Sequence, residues 1–134
     1  MSVDQFTVRP LEGGARLVTA PMADRASASL VLMFGVGSRY EDDRLGGVSH
    51  FIEHLFFKGT SRRPTSKEIA EAIEGVGGVI NASTDKEVTT YWTRVPADHL
   101  ELAIDVLFDI VTDSKLTADD IEGERMVNLE ELKM

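Results

Sequence analysis

The chain contains three histidines, and two of them lie four residues apart in the stretch His50-Phe51-Ile52-Glu53-His54. Residues i and i+4 share a face of a helix, and i+3 lies beside them. A helix here gathers two imidazoles and a carboxylate on one patch, where they could hold a divalent cation or move protons. A catalytic zinc takes three protein ligands and keeps a fourth position for water. His50 and His54 would supply two of the three, and Glu53 would stand beside the open position, ready to take a proton from the water.

The third ligand has to come from elsewhere. The chain has no cysteine, which removes disulfides, thiolate ligands and a cysteine nucleophile together. His99 reads as an ordinary surface or capping residue at the start of another helix. Glu124 and Glu131 are two helical turns apart and share a face, with Asn128 between them. A carboxylate ligand backed by a second carboxylate matches the way metal sites are built. Spacing alone does not choose among Glu124, Glu130 and Glu131. The order His-x-x-Glu-His is itself the inverted form of a zinc-peptidase signature.

These residues must be carried by elements, and the chain punctuates them. Phe6 to Arg9 and Leu17 to Ala20 flank Glu12-Gly13-Gly14 and read as a hairpin. Ala26 to Val36 reads as a strand entering a core, followed by Gly37-Ser38-Arg39 and an acidic loop through Asp43. Val48 to Phe57 repeats apolar residues at helical spacing around the His/Glu face. Thr65 or Ser66 is the expected N-cap of a helix through Ala72 and Ile73, ended by Gly75, Gly77 and Gly78. Val79 to Ser83 and Val88 to Val95 flank Asp85-Lys86 as a second hairpin. Its adjacent aromatic residues must point to opposite faces, with Trp92 expected in the core and Tyr91 on the other face. Asp98 and Glu101 read as a capping box before a helix from Leu100 to Val111. Thr117 and Asp120 open a last helix in the same way. That helix keeps its pattern to Met134 with no glycine or proline to stop it, so the chain is expected to be a fragment cut within or just after a helix. The order of elements predicts an α+β fold, an antiparallel sheet with helices packed on it.

With 134 residues, 43% of them hydrophobic, the chain is one domain or a piece of a larger one and can bury a core. Its formal net charge of -9 argues against nucleic acid or an anionic membrane surface as partner, because both require Lys and Arg against phosphates. Lys58, Arg62 and Arg63 form a small basic cluster that reads as a solvated loop. The N-terminus has no basic and apolar regions of a signal peptide, and Leu30 to Phe34 is too short to span a bilayer. A cytoplasmic protein is expected.

Taken in order, Gly37-Ser38-Arg39, Gly46 to Thr60 (GGVSHFIEHLFFKGT), Gly77 to Thr84 (GGVINAST) and Glu124 to Glu131 (ERMVNLEE) resemble the pitrilysin/insulinase family of zinc peptidases. Within it, the chain is similar to the processing-peptidase branch, from about Phe6 to the last residue. The resemblance implies Zn2+ as cofactor, with His50 and His54 as ligands and Glu53 as the catalytic base. It implies Glu131, the second glutamate of a Val-x-x-Glu-Glu-like stretch, as third ligand in place of Glu130, and Glu124 as support from behind. Asn81 and Ala82 match the exposed-strand segment that binds substrate, where an extended peptide adds to a sheet edge. Residues 1–134 would be the N-terminal part of a single catalytic domain, with the family's α+β metal-binding fold truncated. A homologous second domain or subunit, absent from this chain, would close a chamber over the substrate and supply an arginine and a tyrosine to its carbonyl. Tyr40, Tyr91 and Arg94 do not match those two positions. Asn128 departs from the pattern, standing where an apolar residue is more usual.

The expected activity is that of a zinc-dependent endopeptidase acting on extended or unfolded peptides, with this segment alone inactive or weakly active and the full protein a possible homodimer. Two other readings are a non-catalytic family subunit, which tends to lose the motif kept intact here, and a metal-dependent S-ribosylhomocysteine-type lyase. The lyase takes a cysteine as its third ligand, and this chain has none.

Overall fold

The computed structural model describes residues 5–131 and 133–134. Strands β1 (Thr7–Pro10) and β2 (Arg16–Thr19) pair as an antiparallel hairpin that stands apart from the main sheet. The main sheet has the order β3 (Ser27–Phe34), β5 (Thr89–Pro96), β4 (Val79–Thr84), antiparallel throughout. Four helices complete the fold: α1 (Val48–Phe56), α2 (Ser66–Glu74), α3 (Leu100–Thr112) and α4 (Ala118–Glu131). This is the α+β arrangement that the order of elements predicts.

The central strand β5 buries alternate residues Thr89, Tyr91, Thr93 and Val95. Helix α3 lies against β3 and β5, and α2 lies against α3 and β4. Ile69 and Ile73 of α2, and Ala103, Val106, Leu107 and Ile110 of α3, face the strand and form one core with Tyr91 and Val95. Their spacings of three and four residues are what a helix needs to present one apolar stripe. Tyr91 is 2% exposed, and its ring meets Phe34 edge-on and packs against Phe56 and Phe57. Trp92 is half-buried on the other face, so the expected orientation of the two aromatics is reversed. Alternation fixes that they face apart; which face the helices cover is decided by α2 and α3, which the strand's own sequence does not encode.

The helix starts follow local chemistry. Thr65 caps α2 in a full capping box: its Oγ1 accepts from Glu68 N (3.2 Å), and Glu68 Oε2 accepts from Thr65 N (2.9 Å). Thr117 Oγ1 accepts from Asp120 N (3.2 Å) at the start of α4. The box expected from Asp98 and Glu101 does not form. A 3-10 turn over Ala97–His99 runs straight into α3, and Leu100 N bonds to Ala97 O. That backbone bond occupies a donor the side chain would have capped. Half-buried His99 is the residue before α3 and makes no side-chain cap.

The loop between α1 and α2 is held down by charge. Thr60 is fully buried and donates to Asp109 Oδ2 (2.8 Å). Arg63 pairs with Asp109 (2.6 Å) and Asp105 (2.8 Å), and Arg62 forks onto Asp105 (2.8 and 3.1 Å). Arg62 and Arg63, read with Lys58 as a solvated basic cluster, are therefore tied to α3. Among the described residues, no helix is long and apolar enough to cross a membrane.

Candidate metal centre

Helix α1 begins at Gly47, whose φ of 87° is a left-handed conformation that glycine adopts without strain. Glu41, in the acidic loop before it, turns its carboxylate onto the helix start. It accepts from Gly47 N (2.6 Å) and Ser49 N (2.8 Å), placing an anion where the helix dipole favours one. Burial opposes the charge, but the hydrogen bonds from Ser49 and Gly47 outweigh it and hold the Glu41 carboxyl below its ordinary range. This cap anchors the start of α1, whose length also packs against α4 and β4.

Four residues apart on α1, His50 and His54 bring their rings to a centroid separation of 4.3 Å. Helix α4 packs against α1 and delivers Glu131. One ligand atom from each of His50, His54 and Glu131 lies within 4.8 Å of the other two. His50 and His54 are half-buried, and Glu131 is exposed.

Behind His54 stands Glu124, 3% exposed. Its Oε1 lies 2.6 Å from His54 Nδ1, and its Oε2 lies 2.6 Å from Lys58 Nζ. Asn128 Nδ2 donates both to Glu124 Oε1 (3.3 Å) and to the Glu124 carbonyl (3.2 Å). Burial alone would raise the Glu124 carboxyl, but the hydrogen bonds and charges of Lys58 and His54 hold it below its ordinary value. An ionised carboxylate can only accept, so His54 Nδ1 is the donor in this contact, and Nε2 is the ring nitrogen left to face a metal. Lys58 is thus paired with a buried acid, whereas the sequence reading left it in solvent.

Glu53, 9% exposed, is on the same helix but outside the close trio. Thr84, the last residue of β4, donates its hydroxyl to Glu53 Oε2. Burial first, and the Glu53 charge second, push the Tyr91 phenol above its ordinary value. Asn81 is exposed and Ala82 half-buried on β4, an edge strand of the sheet. Asn81 Oδ1 accepts from Ala82 N (2.8 Å). The structure brings His50, His54 and Glu131 together with Glu124 behind, while Asn81 and Ala82 lie on the strand that α1 contacts.

The family described as insulinase (peptidase family M16) matches residues 16–134. The chain belongs to this family. Within M16 it is 48% identical over 124 residues to an uncharacterized zinc protease of Mycobacterium leprae, covering 92% of this chain and 28% of that protein. It is 38% identical over 133 residues to a probable mitochondrial-processing peptidase subunit beta of Arabidopsis thaliana, covering 99% of this chain and 25% of that protein. A protease from Helicobacter pylori superposes with a TM-score of 0.89 at 27% identity, over 96% of this chain and 31% of that one. Pitrilysin gives 0.82, also at 27% identity, over 96% of this chain and 14% of that one. The chain thus spans between a quarter and a third of the length of these sequence relatives.

Four residues around the M16 motif are not singled out for these contacts by the sequence reading: Glu41, Lys58, Thr84 and Asn128. Glu41 carries a local signal, an acidic side chain shortly before a helix start, and Asn128 another, standing four residues after Glu124 on one helix face. Lys58 and Thr84 act through contacts that no spacing rule encodes; Asn128, read as a departure from the pattern, is the residue that ties Glu124 to its own helix.

Proposed function

We propose that the protein to which this chain belongs is a zinc-dependent endopeptidase that cuts extended or unfolded peptides. The observation that carries the proposal is the meeting of His50, His54 and Glu131. Two imidazoles and one carboxylate are a donor set that catalytic zinc takes, with one position to spare. Donors around a tetrahedral zinc lie about 3.4 Å apart, so these three would draw together by rotamer adjustment to share an ion. His50, His54 and Glu131 would hold it, and Glu124 would fix the ring of His54. When bound, zinc supplies the Lewis acidity that lets a water release its proton near neutral pH.

Glu53 is the base in this reading. It takes the proton from the attacking water and returns it to the leaving amine. Asn81 and Ala82, at the edge of β4, hold the substrate as an added strand. Main-chain pairing there makes few demands on substrate sequence but requires the peptide to be extended. Residues 1–134 are the N-terminal part of the catalytic domain. A homologous second domain or subunit closes over the substrate and holds the scissile carbonyl, and the protein acts in the cytoplasm.

The test is made on the full-length protein. Glu53→Gln is expected to keep stoichiometric zinc and to cut unfolded peptides about 100- to 10,000-fold more slowly. His50→Ala and Glu131→Gln are expected to lose zinc and activity together. Undiminished cleavage by Glu53→Gln would remove Glu53 as the base. A wild-type protein that holds zinc and cuts no unfolded peptide would instead be a non-catalytic family subunit.

A further inference from the structure

The Glu53 carboxylate has two oxygens in different circumstances. Oε2 accepts the hydroxyl of Thr84. Oε1 has no hydrogen-bond partner among the described residues. No buried side-chain oxygen or nitrogen among them lacks a partner, so Oε1 reaches solvent. A nearly buried carboxylate tied at one oxygen and open at the other has a single orientation to offer a water.

The donor comes from a telling place. Thr84 closes β4, the strand that carries Asn81 and Ala82. Its half-buried side chain lies on the same strand face as Ile80 and Ala82, towards the helices. The hydroxyl therefore bridges the strand proposed to receive the peptide and the helix that carries the base. Thr84 stands across from Thr89 at the end of the β4–β5 register, so its contact with Glu53 places the carboxylate over the end of this hairpin.

We infer that Thr84 is a positioning residue for catalysis. Its hydroxyl holds Glu53 Oε2 so that Oε1 faces the attacking water, and it couples that orientation to the substrate-binding strand. The inference rests on the reading of Glu53 as base. It requires the hydroxyl itself: a side chain of equal volume without one leaves Glu53 free to turn. A role confined to packing would be met by valine as well as by threonine.

The experiment uses the full-length protein with zinc bound. Thr84→Val is expected to lower kcat about 10- to 100-fold, the scale of a misplaced catalytic group, with KM and zinc content unchanged. Thr84→Ser restores the hydroxyl and is expected to restore most of kcat. A crystal structure of Thr84→Val is expected to show the Glu53 carboxylate turned from its wild-type plane. Thr84→Ala takes the place of valine if that variant does not fold. Wild-type kcat in the variants without the hydroxyl, a serine variant as impaired as they are, an unmoved carboxylate, or loss of zinc would each overturn the assignment. Glu53→Gln in the same assay separates the two ideas. If it is inactive while Thr84→Val is fully active, only the role of Thr84 fails; if it is active, the base reading fails and takes the inference with it.

Discussion

A buried carboxylate facing an imidazole can hold its proton, or it can stay ionised and make the imidazole hold one. Glu124 does the second because Lys58 supplies a positive charge at its other oxygen, 2.6 Å away, while Asn128 donates from the next turn of α4. The consequence falls on His54, whose Nε2 is left free and whose ring cannot swing. Replacing Glu124 by Gln keeps the shape but removes the charge, and leaves Lys58 facing a neutral amide. Zinc affinity is then expected to drop about 10- to 100-fold, as for other residues that support a ligand without touching the metal. Competition against a chromophoric chelator measures this; an unchanged affinity would show that His54 needs no support from behind. His50, Glu53 and His54 were legible from the sequence because a helix converts spacing into a shared face. The support of Glu124 was read from resemblance alone, because spacing says nothing of a contact with His54 seventy residues away, and Glu131 was separated from its neighbours in the same way.

Among the elements, α3 does two jobs, walling the core with one face and gripping the loop after α1 with another. Asp105 and Asp109 are one turn apart and collect Arg62, Arg63 and Thr60. For Asp109, 4% exposed, burial pushes the carboxyl up, but the bonds from Thr60 and Arg63 and the charges of both arginines bring it below its ordinary 3.8. Asp105 is lowered first by Arg62 and then by Arg63. A carboxyl depressed in the folded state stabilises fully above its unfolded value and loses that contribution as pH falls through the folded one. Urea unfolding is therefore expected to show Thr60→Val less stable by about 1–3 kcal/mol at neutral pH, the cost of a lost buried hydrogen bond to a charged group. Removing the acid by Asp109→Asn should also destabilise at neutral pH, and its deficit against wild type should shrink below about pH 3.8. A deficit constant with pH would mean that the loop is held by packing. The helices themselves were legible, since Thr65 and the apolar repeats are local signals. The orientation of Tyr91 and the missing cap at Asp98 were not, because each depends on what lies next to the segment: helices over one sheet face, and a 3-10 turn already bonded to Leu100.

At the scale of the whole molecule, the three-stranded sheet has helices on one face only among the described residues. On the other, Val31 and Met33 are 49% and 69% exposed, and Val31 stands level with Trp92 and Asn81 across the strands. Among the described residues, β3 and β4 each have a single neighbour in the sheet, so each offers an unpaired edge there. Val8 and Val18 leave the β1–β2 hairpin apolar and exposed too. Water is a poor cover for such a surface, and free strand edges invite pairing with other chains. Most of the length of the M16 relatives lies outside the segment matched here, and it is chain of that kind that can supply the missing layer. Residues 1–134 on their own are therefore expected to associate as concentration rises, seen as growing sedimentation coefficients, and to bind a hydrophobic dye. The full-length protein should do neither beyond its native assembly. Charges introduced on the open face, as in Val31→Lys with Met33→Glu, should suppress the association without lowering the melting temperature, because no core residue is touched. An isolated segment that stays monomeric and dye-free at every concentration would mean that this face needs no cover.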